Sequence, residues 1–67
     1  MQYLVQLRKQ LEASRQARLE SLASGSAKDY SQYSKIVGEI SGLTLAINET
    51  ESLLDRINRA NGDIDDD

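Results

Sequence analysis

Cysteine, histidine, proline, phenylalanine and tryptophan are all missing from this 67-residue chain. Without cysteine, no disulfide can staple the fold and no thiolate can hold a metal. Without histidine, the commonest metal ligand and the commonest general base are gone as well. The lack of proline leaves no position at which a helix must break. Tyr3, Tyr30 and Tyr33 are the only aromatic residues. A core at this length is marginal, so one domain at most is expected, and of the usual reinforcements only oligomerisation or docking onto a larger protein remains.

Long apolar runs are missing too. No segment approaches the roughly twenty apolar residues needed to cross a bilayer, so no membrane partner is expected. The first residues do not read as a secretory signal, because no charged stretch is followed by an apolar core and a small-residue cleavage site. The lack of cysteine suits a virion or the host cytoplasm.

What is present is a hydrophobic heptad. Tyr33, Ile36, Ile40, Leu43, Ile47, Thr50, Leu54 and Ile57 follow one another at alternating spacings of three and four. Such spacing makes a single stripe only on an α-helix, and a strict seven-residue repeat marks a helix wound against other helices. Residues 2–24 read as a first helix, free of glycine and rich in strong helix formers. Leu4, Leu7, Leu11, Leu19 and Leu22 form its stripe, with Ser14, Arg15 and Arg18 interrupting the middle. Those arginines either lay their methylene stems along the core with charges outward or meet carboxylates there.

Ser24-Gly25-Ser26 separates the two helices. Gly25 fits the left-handed position just past a helix end, with the turn at 25–26. Ser26 fits the cap of the second helix, with Asp29 completing an approximate capping box. The second helix is expected over 27–60 and the acidic stretch 61–67 as a flexible tail, because Asn61-Gly62 favours a stop and consecutive aspartates repel. Arg56 and Arg59 then suit the last turn, at the negative end of the helix dipole.

The fold class that follows is all-α. It is an antiparallel two-helix hairpin with a long second helix and coiled-coil-like packing in an oligomer or larger assembly. A two-residue turn places residue i beside a residue near 52 − i. Leu22 then faces Tyr30, Leu19 faces Tyr33, Leu11 lies near Ser41, and Leu4 lies near Asn48. On that register Leu53, Leu54 and Ile57 overhang the first helix.

Ser34, Gly38, Gly42 and Ala46 recur every four residues and make a ridge of small side chains on the second helix. Each interior glycine costs about 1 kcal/mol relative to alanine, so the ridge calls for a packing gain from a close neighbour. That neighbour is either the first helix or a foreign chain. Leu45 points nearly opposite the heptad and, with Val37, makes the centre of the second helix apolar almost all round. A helix of that kind is buried on several sides. The candidate interface is therefore Ile36, Gly38, Ile40, Gly42, Leu43, Leu45, Ile47, Leu53, Leu54 and Ile57.

Chemistry is not indicated. Glu49 and Glu51 are two apart and do not share a helical face. No serine has a histidine to activate it. The run Gly38–Gly42 is too short and too helical for a phosphate loop. Asn48-Glu49-Thr50 matches a glycosylation acceptor only by letter. The terminal aspartates lack the spacing and glycine turn of a calcium loop. No catalytic residue, cofactor, metal or small-molecule substrate is expected.

The net charge of −3 is unevenly spread. Residues 1–25 hold four cations against two carboxylates, a net +2, and residues 26–67 hold four against nine, a net −5. The halves attract each other, and the acidic half disfavours nucleic acid, whose phosphates need a clustered positive surface.

The stretch Ala27-Lys28-Asp29-Tyr30, then Tyr33, then Val37-Gly38-Glu39-Ile40-Ser41-Gly42-Leu43 and the apolar positions to Leu54 resembles small helical-hairpin structural or assembly proteins of tailed bacteriophages. The likeness covers most of residues 7–57. It implies a virion component or assembly factor of the head, connector or tail, with a protein partner or a second copy of itself. It implies no enzyme and carries over no ligand residue. A different class of function is a small acidic inhibitor of the anti-defence type, whose charge occupies a basic site on a host protein.

Overall fold

The computed structural model describes the backbone of residues 2–66 and the side chains of residues 2–61. It is an antiparallel hairpin of two helices, α1 (Gln2–Ala23) and α2 (Tyr30–Asp66). The molecule is a rod of 57 × 15 × 15 Å. Its length is that of α2, since 37 residues at about 1.5 Å each span that distance.

The end of α1 is built by Gly25. Its φ of 78° is the left-handed conformation that glycine adopts without steric cost. Ser26 N–H then donates to Ser21 C=O at 3.0 Å and Gly25 N–H to Leu22 C=O at 3.1 Å. These two bonds are the Schellman pattern and satisfy carbonyls the helix would otherwise leave bare.

The linker is longer than a two-residue turn. It runs over Ser24–Asp29, so α2 begins at Tyr30 and not at Ala27. The cap explains the shift. Asp29 Oδ1 accepts from Gln32 N–H at 2.8 Å, and Gln32 Oε1 accepts from Lys28 N–H at 2.9 Å. Two exposed donors are satisfied at once, which is the logic of a capping box built on Asp29. Ser26, the expected cap, is instead taken up by the end of α1, where its hydroxyl lies 3.1 Å from Ser24 Oγ.

The far end also differs. α2 continues through Asn61 and Gly62 to Asp66 in place of stopping near Ala60. Asparagine and glycine weaken a helix by less than about 1 kcal/mol each, and no proline follows to force an exit. Arg59 is consequently not in a last turn. It pairs with Asp55 at 3.1 Å along the exposed helix surface. Asp67 and the side chains of residues 62–67 lie outside the described residues.

Two contacts fix how the helices sit. Arg15 Nη1 donates to Thr44 Oγ1 at 3.4 Å, and Arg18 Nε lies 3.4 Å from Glu39 Oε1. Residue i of α1 therefore lies beside a residue near 58 − i of α2, not 52 − i. The longer linker and later start of α2 cause the slide. It sets Leu22 level with Ile36, Leu11 with Ile47 and Leu4 with Leu54. Burial agrees with that register. Ile47 is 3% exposed and Leu54 6%, the two best-covered apolar side chains among the described residues. The expected apolar overhang is thus withdrawn for Leu54, which is buried, and for Ile57, which is half-buried, while Leu53 stays 38% exposed.

On α1 the half-buried seam is Leu4, Arg8, Leu11, Arg15, Arg18 and Leu22. These residues alternate four and three apart, so α1 keeps its own strict heptad with arginine at three of six positions. Leu7 and Leu19, expected in the stripe, lie on its flanks and stay exposed. The arginines use both of the expected solutions. Their stems line the seam, and Arg18 meets a carboxylate while Arg15 meets a hydroxyl. Thr50, the one buried polar residue among those described, donates its hydroxyl to Ala46 C=O at 2.8 Å, so it sits in the seam without an unmet bond.

Candidate functional site

The ten candidate interface residues fall on two different sides of α2. Ile36, Ile40, Leu43, Ile47, Leu54 and Ile57 turn toward α1 and are half-buried or buried by it. Gly38, Gly42, Leu45 and Leu53 are exposed. The first group holds the hairpin together. The second is the surface left for something else.

The outer surface is built by helical spacing. At about 100° per residue, Leu45 lies some 200° from Ile47, which puts it on the far side from α1. Ser34, Gly38, Ser41 and Gly42 share that far sector, and all are exposed. Leu45 stands out among them at 60% exposed. Past Leu45 the same sector becomes polar with Glu49, Ser52 and Arg56. The apolar part of the outer face is therefore confined to the first half of α2, with a small floor and one leucine at its edge.

Nothing of the chain itself fills that floor. A Cβ built on Gly38 or on Gly42 would meet no atom within 4 Å. Of the two neighbours that could have occupied the ridge, α1 is ruled out, because α1 lies against the opposite side of α2. Two glycines weaken the middle of α2 by about 2 kcal/mol together, and no contact within the hairpin returns it.

Toward the turn, one side of the hairpin opens into a shallow recess of about 350 Å³ lined by Arg18, Ser21, Gln32, Lys35, Ile36 and Glu39. Arg18 and Glu39 pair across it, which leaves Lys35 as its remaining charge. Near the same end Tyr30 and Tyr33 stack with ring centroids 6.5 Å apart, a contact that stiffens the first turn of α2.

Among the described residues, no group of three or more Asp, Glu, His or Cys is placed to hold a metal ion. Among them also, no helix is long and apolar enough to cross a membrane. No family model matches the chain, and no curated protein or solved structure is significantly similar to it.

Proposed function

We propose that this chain is a non-enzymatic interaction protein that docks into a larger protein assembly through the outer face of α2. The observation that carries this reading is the pair of glycines at 38 and 42, which face open space beside the exposed Leu45. A helix weakened at its centre, with no gain inside the chain, has its compensation in a contact outside it. Glycine at two successive turns lets a second backbone come close, and Leu45 supplies an apolar side chain at the edge of that approach.

The assembly is proposed to be the particle of a tailed bacteriophage, in its head, connector or tail, with the chain acting as a virion component or an assembly factor. The sequence likeness over residues 7–57 is what points there. The working location is then the virion or the host cytoplasm. Mass spectrometry of purified particles and of assembly intermediates from the phage that encodes the chain tests this. The reading expects the chain in one of the two at a fixed ratio to a structural protein. Its absence from both, with normal particle yield after deletion of its gene, contradicts it.

A further inference from the structure

The recess near the turn shows which flanks of the seam share one broad side of the hairpin: Ser21 on α1 lies there with Gln32 and Glu39 on α2. Steps of seven residues stay on that side when helices pack as heptads. From Ser21 they lead to Ser14 and Leu7. From Glu39 they lead to Ala46, Leu53 and Ala60. Leu7 is 43% exposed and Leu53 38%. The register near 58 − i puts these two leucines within a turn of each other, at the end away from the linker. This side is thus charged at the turn end and apolar at the open end. Leu4, Leu11, Leu43 and Ile57 lie on the adjoining edge of the seam and are only half-covered. The opposite broad side, stepped in the same way from Leu19 and from Val37, also reaches Val5, but Glu12 and Glu51 interrupt it.

We infer that a second copy of this chain covers the Leu7–Leu53 side, giving a four-helix bundle about a two-fold axis parallel to the helices. Charge favours that occupant and that axis. α1 carries a net +2, and the stretch of α2 level with it, residues 35–57, a net −2. A parallel two-fold lays α1 of each copy over α2 of the other, so helices of opposite net charge adjoin at both new contacts. It also brings Leu7 of each copy to Leu53 of the other, and Ser14 to Ala46, so small faces small and leucine faces leucine. A perpendicular two-fold would lay α1 on α1 and α2 on α2, and would set the apolar end on the charged recess. Area points the same way. The hairpin exposes 5151 Å², whereas a compact monomer of this mass exposes about 4,250 Å². Leu53 lies only about 20° around α2 from Gly42, so this contact adjoins the outer face, and Leu45, about 80° from Leu53, is the position that separates the two.

Sedimentation equilibrium on the full chain, with helical content followed by circular dichroism, is the first arm of the test. The bundle predicts a dimer whose dissociation constant rises at least about 100-fold in Leu53→Glu, because the charge enters an apolar contact. Leu53 is exposed in the single hairpin, so helical content at high concentration should persist. Leu45→Glu, on the outer face, should leave the dimer unchanged. The chain has no native cysteine, which permits a second arm. Equal mixtures of Leu7→Cys and Leu53→Cys chains should form one disulfide-linked dimer, while Ser14→Cys alone should not cross-link. A monomer at all concentrations, equal loss in Leu45→Glu and Leu53→Glu, or efficient self-linking of Ser14→Cys would overturn the inference.

Discussion

Arg18 and Glu39 meet across the hairpin, Nε to Oε1 at 3.4 Å, with 43% and 40% of their side chains exposed. This pair joins the more basic helix to the acidic one and helps to set the register that buries Leu54. Charge asymmetry between the two halves therefore acts locally as well as globally. It does so at the edge of the seam, where water still screens it.

A double-mutant cycle with Arg18→Met and Glu39→Gln should give a coupling of about 0.5 kcal/mol, as is usual for exposed pairs. The coupling should shrink as salt is raised. A coupling of several kcal/mol, insensitive to salt, would mean that the pair is enclosed by a partner.

The cap at Asp29 makes a second prediction. Asp29→Ala should destabilise the hairpin by about 1 kcal/mol, because Gln32 N–H loses its acceptor. Ser26→Ala should cost less. Thermal melts of the two variants under identical conditions check the order. The reverse order would return the cap to Ser26 and shorten the linker.

Much of the fold is legible in the sequence. The heptad from Ile36 to Ile57 identifies the buried face of α2, although Tyr33, its expected first member, stays 50% exposed, and Gly25 marks the end of α1. The register is not legible, because it depends on linker length, and Ser26 and Asp29 are both good caps three residues apart. Only the contacts of Gln32 with Asp29 and Lys28 decide between them. The seam of α1 was open to a stricter reading. Counting leucines draws in Leu7 and Leu19, whereas a count in fours and threes from Leu4 passes through Arg8, Arg15 and Arg18. Arginine is strongly polar, so hydropathy hides it at seam positions that its stem can fill. For the candidate site, the sequence shows the ridge of small residues but not which neighbour it faces, since that requires the rotation of α2 about its own axis.

That rotation leads to a third prediction. Gly38→Ala and Gly42→Ala should each stabilise the isolated chain by about 1 kcal/mol, since each new methyl meets open space and helix propensity improves. Urea unfolding midpoints should rise in both. A fall in either would show that something in the isolated protein packs against the glycine.

The acidic end supplies a fourth. A chain ending at Gly62 lacks Asp63 to Asp67 but keeps the seam and the outer face. Docking driven by apolar burial should survive this truncation with little loss and should depend weakly on salt. Binding that disappears with the truncation and falls steeply with salt would favour the acidic-inhibitor reading.

The most direct measurement for the proposed phage role is complementation of a phage deleted for this gene by the double variant Gly42→Leu/Leu45→Asp, scored as yield of infectious particles. Both substitutions lie on the exposed outer face, so the isolated variant should keep its helical content and melt no lower than the native chain. The account predicts that particle yield collapses all the same, because the close approach at Gly42 is blocked and a charge stands where Leu45 docks. Normal yield from a variant that folds normally would show that this face is not where the chain works.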